Sequence, residues 1–127
     1  LNDTPLQKLS ASSLADGSVG VGFSNRVTPW GVKKAVGKIL DAGGVFHRNA
    51  SGALSLAYVA DGRLLGYTEE HMNAWDCLAG QLLVAEAGGG FEIQSADAMI
   101  TQGGRVVVGA PGVFEALIAI SDQAYFL

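Results

Sequence analysis

Short apolar runs alternate with longer stretches of helical periodicity along the whole chain. That pattern predicts an α/β domain, a layered mixed sheet with packed helices. Val19 to Phe23 reads as a strand set between glycines. Thr28-Pro29 then predicts an N-cap followed by a proline in the first helical turn. Val32, Ala35, Val36, Ile39 and Leu40 recur on one helical face, while Lys33, Lys34 and Lys38 lie off it. Gly43-Gly44 ends that helix, and Val45-Phe46 forms a short strand. A second helix is predicted from about Ser51 to Ala60, stopping at Asp61-Gly62, with Leu64 to Tyr67 as the next strand.

A third helix runs from about Ala74 to Ala87 and is apolar on nearly every side, which predicts burial on most of its surface. Gly88-Gly89-Gly90 stops it, and Phe91 to Ile93 follows as a strand. Ser95 to Gly104 reads as a loop with turn residues at both ends. Three consecutive valines make Arg105 to Gly109 the clearest strand. Pro111-Gly112 opens a last helix carrying Val113, Leu117 and Ile120. The element order follows from this pattern, but the strand order does not.

Composition narrows the picture. With 127 residues, 49% hydrophobic and 16% charged, the chain has the size and apolar content of one domain with a real core. Eighteen glycines suit a fold that turns often and not a plain bundle. No apolar run approaches the ~20 residues that span a bilayer, so no membrane partner is expected. The single Cys77 excludes an intramolecular disulfide and fits a reducing, cytoplasmic setting. A net charge of −4 argues against a nucleic-acid-binding face, while leaving room for phosphate chemistry bridged by a metal cation.

The stretch from Arg48 to Gly90 holds the candidate chemistry. Asp76 stands in the first turn of the third helix, where it either completes a capping box with Asn73 or aims a rigid carboxylate at a cation. Glu69 and Glu70 follow the strand that ends at Tyr67. They are either solvated or, at the carboxyl end of a parallel strand, acceptors for a polyol hydroxyl. Ser51, Gly52 and Ala53 open a helix with small side chains, a seat for phosphate or hydroxyl oxygens or else close packing of helix on sheet. Ser24-Asn25-Arg26 lies in a loop where Arg26 could meet an anion or simply face solvent. His47 and His71 have no metal-type spacing and read as structural or exposed; Cys77 reads as core. Gly20 to Phe23 lacks the Gly-Lys-Ser/Thr ending of a phosphate loop.

The run Trp75-Asp76-Cys77-Leu78-Ala79-Gly80, continuing through an apolar stretch to Glu86-Ala87-Gly88-Gly89, resembles the second signature of the inositol monophosphatase family. Upstream, Ser51-Gly52-Ala53, the Ala60-Asp61-Gly62-Arg63 turn and Gly66-Tyr67 are similar to family features at the expected distance. The resemblance covers nearly the whole chain. It implies the C-terminal half of the sugar-phosphatase fold, a single C-terminal domain over residues 1–127 without the N-terminal metal-binding domain. It further implies Asp76 as a Mg2+ ligand, Glu69 as the contact to a substrate hydroxyl, and Ser51, Gly52 and Ala53 as a substrate-contacting turn. The first family signature, Asp-Pro-(Ile/Leu)-Asp-Gly-Thr, is absent. No complete catalytic set is therefore expected here, since the other Mg2+ ligands belong to that missing domain. The implied reaction is in-line displacement by a metal-activated water on a small phosphorylated polyol. Histidinol phosphate, fructose bisphosphate and phosphoadenosine phosphate are alternative substrates, and a non-catalytic binding relic is the alternative class. A half-domain is also expected to self-associate through the face its partner half would cover.

Overall fold

The computed structural model describes residues 1–125. Five strands form one mixed sheet: β1 (Ser18–Val21), β2 (Val45–His47), β3 (Gly66–Met72), β4 (Gly90–Phe91) and β5 (Gly104–Gly109). Five α-helices accompany them among the described residues: α1 (Trp30–Asp41), α2 (Gly52–Ala60), α3 (Ala74–Glu86), α4 (Ala96–Thr101) and α5 (Phe114–Tyr125). The spatial order is β2-β1-β3-β5-β4. β1 runs parallel to both β2 and β3, while β5 is antiparallel to β3 and β4. The carboxyl ends of β2, β1 and β3 consequently open on the same side of the domain.

Two cores sandwich the sheet. Leu56, Val59, Met72, Cys77, Val84, Val106 and Val108 fill the face under α2 and α3. Val19, Val21, Ile39, Val107, Leu117 and Ile120 fill the opposite face, under α1 and α5. The triple valine of β5 shows why its strand signal was so clear. Successive side chains alternate between faces, and both faces are covered, so Val106 and Val108 enter one core and Val107 the other. On β3 the same alternation sends Tyr67 and Glu69 towards α2, while Thr68 points the other way to bond Ser121 at 2.8 Å.

Several boundaries differ from those predicted. β3 extends five residues beyond Tyr67, so Glu69 and Glu70 lie within the strand and not after it. Its alternation of apolar and polar residues fails there because a bulge interrupts the ladder between Glu69 and Met72. α1 is capped by Pro29 without a side-chain bond, one residue later than the Thr28 cap predicted. Within the predicted loop Ser95 to Gly104 lies α4, started by the Ser95 hydroxyl accepting from the Ala98 N–H at 3.3 Å. Its one buried residue, Met99, leaves no periodic stripe to read. α3 departs most. It buries Ala74, Cys77, Gly80, Gln81 and Val84, yet Trp75 is 76% and Leu82 61% exposed. The apolar-all-round composition is real, but this chain covers only one side of the helix.

α2 and α3 touch where Gly80 leaves room: a Cβ there would sit 2.5 Å from Leu56 Cβ. In a helix interior Ala is better than Gly by about 1 kcal/mol, but overpacking a core typically costs about 1–3 kcal/mol. The obstructing atoms include Leu56 Cβ, which moves only with its backbone, so the steric cost wins. Gly80→Ala is expected to lower the midpoint of denaturant unfolding; an unchanged or higher midpoint would show that the helices separate without cost.

Candidate functional site

The parallel register of β1, β2 and β3 brings two loops, a strand and the start of α3 to one pocket. The segment after β1 contributes Phe23, Ser24 and Arg26; the segment between β2 and α2 contributes Ala50 and Ser51; β3 contributes Glu69 and Met72; and α3 contributes Asp76. Together with Gly52 and Ala53 they enclose about 280 Å3. Ser51, Gly52, Ala53, Glu69 and Asp76, each singled out in the sequence, thus line a single cavity.

Glu69 is the most buried of them. It is 7% exposed and accepts a hydrogen bond from the Tyr67 hydroxyl at 3.1 Å. The two side chains share a face because they lie two residues apart on a strand, a relation already present in the sequence. Gly22 on the neighbouring segment makes space for them: a Cβ would lie 2.6 Å from Glu69 Cδ. Burial raises the Glu69 carboxyl above its ordinary range, opposed by the Tyr67 bond and by the positive charges of Arg26 and Arg48. Burial, followed by the neighbouring Glu69 charge, likewise raises the Tyr67 phenol, which therefore stays protonated and able to donate.

The second wall is the start of α2. The Ser51 hydroxyl accepts from the Leu54 N–H at 3.2 Å, and its own N–H donates to Asn49 Oδ1 at 2.9 Å. Ser51 is therefore a helix cap as well as a pocket residue. Gly52 and Ala53 are the first two helical residues, whose N–H groups have no acceptor within the helix. The helix dipole adds partial positive charge at that end.

Asp76 is exposed at the third position of α3. The capping box read from the sequence does not form: Asn73 makes no side-chain cap bond, and the contact from Asp76 is its backbone N–H to the Asn73 carbonyl at 3.0 Å. The carboxylate is thus not occupied in closing the helix. A lone hard-oxygen group at a pocket wall fits one position of a Mg2+ coordination sphere. Among the described residues no three His, Cys, Asp or Glu side chains converge to hold a metal.

The remaining candidates separate cleanly. Glu70 points away from the pocket towards Gly31 and Tyr125, and burial raises its carboxyl. His47 is exposed on the edge strand β2. Cys77 is buried beneath α3, its thiol pushed up to about 11 by burial and then by the nearby Asp76 and Glu69 charges, so it stays un-ionised. His71 bonds Arg26 and the Gln102 carbonyl. The Ser24 hydroxyl is buried without a hydrogen-bond partner among the described residues.

Comparison with known proteins agrees with this architecture. The model of the "Inositol monophosphatase family" matches residues 3–124. An "Inositol-1-monophosphatase" of Mycobacterium leprae is 35% identical over 118 residues, covering 90% of this chain and 40% of the relative. "Nus factor SuhB" of Escherichia coli is 35% identical over 121 residues, covering 94% of this chain and 45% of the relative. Among solved structures, the inositol monophosphatase of Anabaena superposes with a TM-score of 0.81 at 27% identity, over 97% of this chain and 50% of its own. Mycobacterium tuberculosis SuhB gives 0.78 at 30% identity, over 95% and 46% respectively. The chain thus spans about half the length of the relatives it matches. With its mixed sheet and flanking helices matched almost end to end, this chain belongs to the inositol monophosphatase family.

Proposed function

We propose that this chain forms the C-terminal half of a Mg2+-dependent phosphomonoesterase acting on inositol monophosphate or a related small phosphorylated polyol. The observation that carries the reading is the pocket itself: a free carboxylate, a buried carboxylate and a helix N-terminus face one cavity at the ends of three parallel strands. Asp76 would hold one side of the ion, and Gly52 and Ala53 would present their N–H groups to phosphate or hydroxyl oxygens. Ser51 keeps that turn in place through its cap. Glu69, oriented by Tyr67, would accept a hydrogen bond from a substrate hydroxyl. A bound Mg2+ would add positive charge against the phosphoryl oxygens to that of Arg26 at the pocket. Its other ligands would come from an N-terminal domain beyond residues 1–127.

The exposed face of α3 supports the same division. Trp75, Leu78 and Leu82 form an apolar stripe next to Asp76. A partner half seated there would bring its own ligands beside Asp76. In the isolated chain the same stripe is free to meet a second copy. A different reading, partner binding without turnover, is favoured by relatives named "Nus factor SuhB". Histidinol phosphate, fructose bisphosphate and phosphoadenosine phosphate remain substrates of the same class.

The polypeptide containing this chain together with an N-terminal half is expected to release inorganic phosphate from inositol 1-phosphate in Mg2+, and to stop in EDTA. Absence of release from any of these phosphate esters would favour partner binding. The 127-residue chain alone is expected to bind Mg2+ weakly, since one carboxylate is a poor site for a strongly hydrated ion; tight one-to-one binding by calorimetry would contradict the half-site account. It is also expected to self-associate, and a monomer by light scattering at high concentration would count against an unpartnered α3 face.

Glu69→Gln provides a test with two readouts. A carboxyl raised in the folded state favours folding at low pH, and that contribution is lost as pH climbs through the folded-state value. The amide removes the buried charge, so the variant should melt higher at neutral pH, with the gap closing on acidification. Loss of a charged hydrogen bond should raise KM roughly 10- to 100-fold. A variant that is less stable at pH 7 and unchanged in KM would remove Glu69 from the site.

A further inference from the structure

Arg26 reaches the pocket from an exposed loop, with no helix or strand of its own to fix it. An exposed arginine samples many rotamers, so a defined position requires something to hold it. What holds this one is His71. Arg26 Nε donates to His71 Nδ1 at 2.9 Å, and Arg26 Nη2 donates to the His71 carbonyl at 3.1 Å. The other ring nitrogen, Nε2, stands 2.7 Å from the Gln102 carbonyl. A nitrogen that receives Arg26 must present a lone pair, and one that faces a carbonyl must carry the proton. Both bonds are satisfied together by the neutral ring with its proton on Nε2.

The ring's own position is set by two features that the sequence pattern did not reveal. His71 falls within the bulge of β3, between Glu69 and Met72, which frees it from regular strand alternation. The turn after α4 then closes on it. Gly103 has φ +70°, and a Cβ there would lie 2.8 Å from His71 Cε1 and 2.5 Å from the Met72 carbonyl oxygen. A side chain at 103 would therefore displace the ring or the strand. Gln102, Gly103, the bulge and Arg26 form a chain of contacts that ends at the pocket.

We propose that His71 is a positioning residue: its neutral ring, anchored on the Gln102 carbonyl, holds the Arg26 guanidinium at the pocket beside Glu69. Arg26 then presents donors next to the Glu69 acceptor. That pairing suits a ligand offering a hydroxyl to the carboxylate and an oxygen to the guanidinium, as adjacent groups of a polyol phosphate do. The clasp stands on the geometry of these residues alone; its meaning for a polyol phosphate rests on the phosphatase reading.

The test is nuclear magnetic resonance of the 15N-labelled chain. A scalar coupling across the hydrogen bond between Arg26 Nε and His71 Nδ1 is expected, together with slowed solvent exchange of the Arg26 Nε–H. His71→Ala should accelerate that exchange roughly tenfold, as loss of one ordinary hydrogen bond implies. His71→Asn, whose Oδ1 falls near the place of Nδ1, should keep it slow. Equal exchange in wild type and His71→Ala overturns the proposal. So does acceleration by Asn as large as by Ala, because the ring would then serve the bulge and not Arg26. A chain that shows the coupling and the exchange pattern, within a full-length protein that hydrolyses no phosphate ester, upholds the clasp and contradicts the phosphatase reading alone.

Discussion

Parallel pairing of β1 with strands on both sides is the constraint from which the pocket follows. Parallel strands cannot be joined by tight turns, so the chain must cross over through helices between them. α1 makes the crossover from β1 to β2, and α2 leads from β2 to β3. Each crossover begins at a strand's carboxyl end, and these ends lie side by side. Loops remote in sequence therefore meet at one edge, the usual place for a ligand in such sheets. Had β1 paired antiparallel with either neighbour, Arg26, Ser51 and Glu69 would not share a cavity.

Within that frame, the placement of Glu69 is costly to the fold. A carboxylate in the protein interior is unfavourable unless hydrogen-bonded or paired. Tyr67 gives one bond, and Arg26 and Arg48 give charge nearby. Gly22 forgoes a side chain to accommodate the pair. None of this improves the core, where an apolar residue would serve better. Such an arrangement is understandable when the group has work outside the core, and the cavity beside it provides the place. Thr68, on the other face of the same strand, shows the contrast: its hydroxyl is fully satisfied by Ser121 and Tyr125.

Much of the fold was readable because apolar periodicity reports burial. The valines of β5 and the stripe of α1 gave their elements directly. Which residues share a pocket was legible for a different reason: Asp76 and Ser51-Gly52-Ala53 stand at a recognisable spacing, and one cavity gathers them. What escaped lacked a local signal. The bulge at His71 breaks alternation without a glycine or proline to mark it. α4 buries one residue and reads as a loop. Strand order depends on contacts between distant segments, and no local pattern encodes it. The exposure of Trp75 and Leu82 is not legible in the sequence, because an all-apolar helix says that it needs covering, not that this chain covers it.

That uncovered helix and the lone carboxylate at its head describe one situation. Asp76 lines the pocket, does not cap α3 and belongs to no metal cage among the described residues, while the apolar stripe beside it is exposed. The role proposed for Asp76 is to supply one ligand of a shared metal ion. It is tested most directly by Asp76→Asn in a polypeptide that joins this chain to an N-terminal half. Turnover should fall by orders of magnitude with unchanged unfolding behaviour, and near-normal turnover would reduce Asp76 to a surface residue of α3.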